Sequence, residues 1–324
     1  MAVVPTVQGP VNSTDLGYVL AHEHVFVLGA EYRNNYLDWA EQSRVDDAVQ
    51  RLNELKRLGI DTILDPTVLG LGRDIPRIQH VAARTPINIV PATGVYTYND
   101  IPFQFQYNGP GLMFDKPEPM VELFRKDLTE GIADTGVRAA FLKCAIEAQG
   151  LTAGVERVMR AVGQAAVDTG APITVHTSAT NRSGLTAQRV LRAEGVDLRS
   201  VVIGHAGDST DLNYLTELAD AGSVLGMDRF GLDVLLPFEQ RVDTVVALVR
   251  RGYAEKIVLS HDAACFIDWF DENEKAAAAP QWHYRHISED VLPALRVRGV
   301  TDREIETMLV DNPRRYFEQS GTAS

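Results

Sequence analysis

A chain of 324 residues, 45% hydrophobic and 23% charged, has the composition of an ordinary globular protein and can bury a core without disulfide staples. Its two cysteines, Cys144 and Cys265, cannot build a disulfide framework and suit a reducing cytoplasm. The formal net charge of −13 argues against nucleic acid, whose phosphates call for basic patches, and no run reaches the roughly 18–20 unbroken apolar residues of a membrane span.

The N-terminal "MAVVPTVQGP" has neither the basic n-region nor the apolar h-region of a signal peptide. The first predicted strand is "YVLAHEHVFV" (18–27). A helix follows over 44–58, where Val45, Ala48, Val49, Leu52, Leu55 and Leu58 recur at intervals of three and four and Gly59 supplies a stop. The alternation continues with strand 61–67, helix 74–84, strand 87–96, helix 119–132, strand 139–147 and helix 154–169. Strand 172–177, helix 185–194, strand 200–207, helix 211–221, strand 223–231, helix 239–251 and strand 256–263 complete the series. Residues 283–318 read as extra helices.

Strands that alternate with helices pair in parallel, because parallel neighbours need crossover connections. Eight such units favour a closed (β/α)8 TIM barrel over an open doubly wound sheet, as one domain spanning residues 1–324. The Rossmann alternative fails on its own motif, since "GLGRDIP" (70–76) lacks the third glycine of G-x-G-x-x-G. No Walker A, G-x-S-x-G or H-E-x-x-H sequence occurs.

Polar residues at the strand ends carry the chemistry. In a strand, residues i and i+2 face the same way, roughly 6.6 Å apart, so Leu20, His22 and His24 are expected on one face and Ala21, Glu23 and Val25 on the other. Lys143 falls on the face of Phe141 and Ala145, and His176, His205 and Asp262 close the apolar runs of strands five, six and eight. Active sites of this barrel class sit at the C-terminal rim. Neutral imidazoles with a carboxylate suit zinc or a similar divalent ion. A single strand histidine is usually a satisfied core residue, and the H-x-H pair alone divides evenly between core and metal. Agreement across strands one, five, six and eight favours the metal, because each buried polar group would otherwise need its own partner. A protonated lysine has no lone pair. Lys143 therefore pairs with a carboxylate, reaches for the rim, or is carboxylated by CO2 to a carbamate that bridges two metals.

Five segments, "VQGPVNSTDLGYVLAHEH" (7–24), "GLGRD" (70–74), "GHAGDS" (204–209), "MDRFGLD" (227–233) and "SHDAACFIDW" (260–269), carry a resemblance to the phosphotriesterase-like lactonases of the amidohydrolase superfamily. "NPRRYF" (312–317) resembles that family's C-terminal helix, so the likeness runs nearly the whole chain. The resemblance implies two divalent ions, zinc first, with cobalt, iron or manganese as alternatives. By that match His22, His24 and Asp262 hold the more buried ion and His176 and His205 the more exposed one. N6-carboxylated Lys143 and a hydroxide bridge both. The implied reaction is attack of that hydroxide on the carbonyl of an N-acyl-homoserine lactone, a quorum-quenching activity. Asp262 would carry the proton to the leaving alkoxide, and phosphotriesterase activity would be a side reaction. A homodimer is likewise implied.

Tyr96 matches the tyrosine that lies beside the metal centre and the lactone in that family, and packing on a rim loop is the alternative. Arg229 matches the arginine that ends strand seven, with a salt bridge to Asp228 or Asp233 as the alternative. The loop over 263–282 carries Phe266, Ile267, Trp269, Phe270 and Trp282. Phe266 and Trp269 are the substrate-binding candidates there, for an apolar acyl chain, unless the loop packs on the barrel or on a partner subunit. Its stretch 271–286 has no clear match in the family, and Tyr98 has no derived role. His261 and Glu23 are expected to face away from the mouth. Two other readings compete: a dedicated organophosphate triester hydrolase, and a metal-free barrel that acts as a binding or scaffold protein.

Overall fold

The computed structural model describes residues 2–29, 31, 35 and 41–319. Two short strands, β1 (Val3–Val4) and β2 (Val11–Asn12), pair antiparallel ahead of the barrel. The barrel strands are β3 (Val19–Leu20), β4 (His24–Val27), β5 (Thr62–Asp65), β6 (Asn88–Gly94), β7 (Phe141–Ile146) and β8 (Ile173–Thr177). They continue with β9 (Val201–Gly204), β10 (Val224–Met227), β11 (Ile257–Leu259) and β12 (Ala264–Ile267). Eight of them form one parallel sheet in the order β11-β10-β9-β8-β7-β6-β5-β3, and β4 pairs in parallel with β12. That last pair joins the two ends of the sheet. The architecture is the predicted α/β barrel.

Alternation along the strands makes two apolar layers. Ile63, Ile89, Leu142, Cys144, Ile173 and Val175 point outward into the cluster shared with the helices. Leu64, Val90, Phe141, Val202 and Val258 point inward and fill the barrel. Helices Glu41–Arg57, Ile75–Ala82, Pro119–Thr129, Ala153–Thr169, Ser183–Ala193, Leu212–Asp220 and Phe238–Arg250 form the outer ring. Their ends follow capping chemistry: Thr152 accepts from Val155 N, Asp211 accepts from Asn213 and Tyr214 N, and Gly170 closes its helix at φ 73°. The tail is helical, as expected, and its last helix, Asn312–Glu318, plugs the barrel floor with Tyr316 and Phe317. The Tyr316 hydroxyl lies 3.0 Å from Thr174 Oγ1. No helix among the described residues is long and apolar enough to cross a membrane.

Strands one and eight depart from expectation. The predicted strand 18–27 breaks at Ala21–Glu23 into β3 and β4, and the break shifts the alternation. Val19 and Ala21 face the interior while Leu20 faces the helices, so Leu20 does not share a face with His22. Strand eight ends at Leu259, and part of the expected loop after it forms β12, followed by a helix at Glu272–Ala278.

Glu23 explains how these irregular ends hold together. It is fully buried and accepts from Ser260 Oγ (2.7 Å), His261 N (2.8 Å), His261 Nδ1 (2.6 Å) and Ala263 N (3.0 Å). His261 Nε2 in turn accepts from Ile287 N at 2.8 Å, which assigns the Nδ1 proton to the Glu23 bond. Both residues face away from the mouth and fasten the first strand to the last. Glu23→Ala strands several buried donors and is expected to lower stability by roughly 3 kcal/mol. Glu23→Gln, which keeps an acceptor, should cost less. Denaturant unfolding checks this, and equal stability of Glu23→Ala and the unsubstituted chain would contradict the role.

Candidate metal centre and active site

The C-terminal ends of the strands bring six predicted residues to one place. His22 sits in the break before β4 and His24 opens β4; Lys143 lies in β7 and His176 in β8. His205 follows β9, and Asp262 lies between β11 and β12. His205 and Asp262 hold φ values of 62° and 54°, in the left-handed region that non-glycine residues seldom adopt; among the described residues only Ala133 and Arg182 share it. Gly226 leaves room for Asp228, since a Cβ there would stand 2.5 Å from Asp228 Oδ2.

The outward nitrogens of three histidines are already committed. His22 Nδ1 lies 3.0 Å from Asp228 Oδ2, and His205 Nδ1 lies 3.0 Å from Asp228 Oδ1. His24 Nδ1 lies 2.7 Å from Thr67 Oγ1, whose own hydrogen goes to Asp65. A carboxylate only accepts, and so does a hydroxyl oxygen whose hydrogen is spent, so each of these Nδ1 atoms carries the proton. In a neutral ring Nε2 is then the atom with the lone pair, and in all three it points inward. His176 is held the other way, with Nε2 2.8 Å from Glu147 Oε1, so its Nδ1 bears the lone pair.

Acceptors consequently face acceptors. His176 Nδ1 and His205 Nε2 stand 2.8 Å apart with no hydrogen assigned between them. Asp262 Oδ1 lies 3.4 Å from His22 Nε2 and 3.3 Å from His24 Nε2. Such groups repel unless a cation lies among them, and nitrogen with carboxylate oxygen is the donor set of zinc and its neighbours. The site fits a divalent ion at His22, His24 and Asp262, whose ligand atoms lie within 4.8 Å of one another. The facing pair of His176 and His205 fits a second. His22, His205 and Asp228 form another such group by distance, but both Asp228 oxygens are occupied with Nδ1 protons.

Burial sets the charge states. It lowers the pKa of His22 and His205, and that of His176 to about 4, so these imidazoles are neutral at pH 7. Burial also lowers the Lys143 ammonium to about 8, against the pull of Asp262 and Asp228. Its Nζ lies 3.1 Å from His22 Nε2. For Asp262 burial favours the protonated form, but the attraction of His205, His22 and Arg229 outweighs it and holds the carboxyl well below its usual range; of these three, only Arg229 keeps its charge once the imidazoles are neutral. Arg229 Nε donates to Asp262 Oδ2 at 2.9 Å and Nη1 to Asp208 Oδ2 at 3.1 Å. Its partners are thus Asp262 and Asp208, not the Asp228 or Asp233 expected from sequence proximity. Asp208 is held from its other side by Arg241 at 2.7 Å.

Comparison with known proteins agrees with this geometry. The model of the Phosphotriesterase family matches residues 2–317. A phosphotriesterase homology protein of Mycobacterium tuberculosis is 57% identical over 99% of both chains. An aryldialkylphosphatase of Saccharolobus solfataricus is 39% identical, over 95% of this chain and 96% of that protein. The solved structure of the phosphotriesterase from M. tuberculosis superposes with a TM-score of 0.96 at 56% identity, covering 98% of this chain and 99% of that one. The chain belongs to the phosphotriesterase family.

Above the ligand cluster of this phosphotriesterase-family chain opens a cavity of about 300 Å³. Its floor is polar, with Lys143, Glu147 and His176, and its walls are apolar, with Leu71, Leu232, Ile267 and Trp282. Leu235, Trp269 and Phe270, each about half exposed, stand at the mouth. Trp269 therefore lines the cavity as expected, but Phe266 does not. Strand alternation turns Phe266 outward, where the Arg44 guanidinium lies 3.7 Å over its ring, and Ile267 takes the inward place. Trp282 Nε1 donates to the carbonyls of His261 (3.0 Å) and Asp262 (3.1 Å), tying the cavity wall to the ligand turn. Tyr96 packs edge-on against His176, with ring centroids 5.2 Å apart, and donates its hydroxyl to Glu147. Tyr98 is exposed and outside the cavity.

Sequence reading missed Asp228 as the brace of two imidazoles, together with Glu147, Asp208 and the Asp65–Thr67 pair. Signals for three were present: an acid ends the apolar run in each of "TILD", "KCAIE" and "LGMD".

A pH dependence follows. Unfolded imidazoles take up protons near 6.5, whereas folded His176 stays neutral until about 4. Its contribution, roughly 3 kcal/mol, is complete above pH 6.5 and lost as pH falls towards 4. In metal-free protein the stability of His176→Asn should therefore decline less than that of the unsubstituted chain across this window. Parallel declines in chemical unfolding would contradict the assignment.

Proposed function

We propose that this chain is a two-metal lactonase that opens N-acyl-homoserine lactones, a quorum-quenching activity, and hydrolyses phosphotriesters more slowly. The observation that carries it is the convergence of unprotonated histidine nitrogens and the Asp262 carboxylate on the floor of an apolar-walled cavity. His22, His24 and Asp262 would hold one ion and His176 and His205 the other, zinc being the proposed occupant and cobalt, iron or manganese the alternatives. Lys143, with its pKa lowered to about 8, has a neutral fraction that could take up CO2 and lose a proton, and the resulting carbamate would add an anionic ligand for the ions. When bound, two divalent ions supply a water acidified to near neutral pH and Lewis-acid polarisation of the scissile carbonyl.

The remaining work falls to the chain. Asp262, held ionised, would take a proton and return it to the leaving alkoxide, a role that rests on the family resemblance. Burial disfavours charge on Arg229, but Asp262 and Asp208 outweigh it and raise its pKa. Arg229 therefore keeps its proton and orients Asp262 without relaying one. Burial and Glu147 raise the pKa of Tyr96, so its hydroxyl stays a hydrogen-bond donor beside His176. The half-exposed apolar mouth at Leu235, Trp269 and Phe270 suits an acyl chain leaving the lactone ring. A homodimer belongs to the same proposal through the family resemblance.

A second reading, a dedicated organophosphate triester hydrolase, is favoured by the 39% identity to an aryldialkylphosphatase. Turnover of N-acyl-homoserine lactones of increasing chain length, beside paraoxon, separates the two. A higher kcat/KM on a lactone is expected; a higher value on paraoxon would replace the first reading with the second. Lys143→Ala should lower lactone turnover by about 100-fold or more, with partial recovery on adding a short carboxylic acid. Full activity without the lysine would contradict the carbamate.

A further inference from the structure

Glu147 sits at the end of β7, four residues beyond Lys143, on the cavity floor. One of its oxygens, Oε1, receives two hydrogen bonds, from the Tyr96 hydroxyl and from His176 Nε2 at 2.8 Å. These two donors differ in kind. Tyr96 faces the cavity where a substrate would lie, while His176 presents its other nitrogen to His205 at 2.8 Å. A carboxylate oxygen cannot donate, so the bond from His176 Nε2 uses that ring's only proton and leaves Nδ1 free to bind a cation. His22, His24 and His205 are fixed in the opposite sense, through Nδ1. Among the four histidines of the floor, His176 alone depends on Glu147 for its tautomer.

We infer that Glu147 is a positioning residue that fixes His176 to ligate through Nδ1, and that it ties this choice to the orientation of the Tyr96 hydroxyl. The inference rests on the two-metal reading above and concerns only the outer ion. The inner ligands His22, His24 and Asp262 are oriented by Asp228, Thr67 and Arg229, none of which touches Glu147 through a hydrogen bond. Loss of the carboxylate should thus separate the two ions. Outer-layer carboxylates that orient a ligating histidine commonly change metal affinity by about 10–100-fold when removed.

The test titrates zinc into metal-free wild type, Glu147→Ala, Glu147→Gln and Tyr96→Phe in competition with a chromophoric chelator. Circular dichroism verifies folding. Wild type should bind two equivalents. Glu147→Ala should keep the tighter equivalent unchanged and lose about 10–100-fold in affinity for the second. Glu147→Gln, whose amide oxygen still accepts, should recover part of that loss, and it carries the test if the alanine variant does not fold. Tyr96→Phe leaves the Glu147–His176 bond and should keep both equivalents. Long-range 15N imidazole spectra of the metal-free proteins add a readout that general loosening would not move. The His176 proton should reside on Nε2 in wild type and redistribute between the nitrogens in Glu147→Ala. Two equivalents of wild-type affinity in Glu147→Ala, or an unchanged tautomer, would overturn the inference alone. Fewer than two equivalents in wild type would overturn the two-metal reading, and the inference with it.

Discussion

The arrangement of the site follows from one electrostatic constraint: hydrogen-bond acceptors are packed against acceptors. Asp228 takes the Nδ1 protons of His22 and His205, Thr67 takes that of His24, and Glu147 takes the Nε2 proton of His176. What remains on the inside is a set of lone pairs and the Asp262 carboxylate, brought within 2.8–3.4 Å of one another. In water such groups would separate. Here burial keeps three of the imidazoles neutral and the barrel wall keeps them close. Lys143 Nζ, 3.1 Å from His22 Nε2, and Arg229 Nε, 2.9 Å from Asp262 Oδ2, offset part of the cost, and bound cations would offset the rest.

Holding these groups together requires irregular backbone, and the barrel places it where its two ends meet. The first strand breaks before His24, and the last breaks around Asp262, which adopts φ 54°. Glu23 bridges the breaks with four accepted hydrogen bonds, and Trp282 grips the carbonyls of His261 and Asp262 from the cavity side. The geometry of the candidate site and the closure of the barrel are therefore one structure. The cavity wall, through Trp282, is anchored to the backbone of a metal-ligand candidate, so substitutions in this wall can reach the ligand turn.

Much of this was legible from the sequence because alternation is a strict rule. Strand and helix periods located the parallel barrel, and the recurrence of histidines at strand ends placed His22, His24, His176 and His205 in one mouth. The same rule put Ile267, not Phe266, into the cavity once β12 formed; an expected loop offered no period to apply. It failed at Leu20, where a two-residue strand ends and the phase shifts before His22. Long-range partners were the least legible. Arg229 reaches across the rim to Asp262 and Asp208, while its sequence neighbours Asp228 and Asp233 are passed over. Asp228 could not be assigned to two imidazoles without knowing that β9 and β10 are adjacent. The family resemblance supplied the ligand set, but not the acceptors that orient it.

The direct measurement of the central claim is anomalous X-ray diffraction at the zinc edge from crystals of zinc-loaded protein. Two peaks are expected: one among His22, His24 and Asp262, the other between His176 and His205, with density for a carbamate on Lys143 joining them. No peak at either position in zinc-loaded crystals, with His176 and His205 still face to face, would contradict a metal centre at the floor of this cavity.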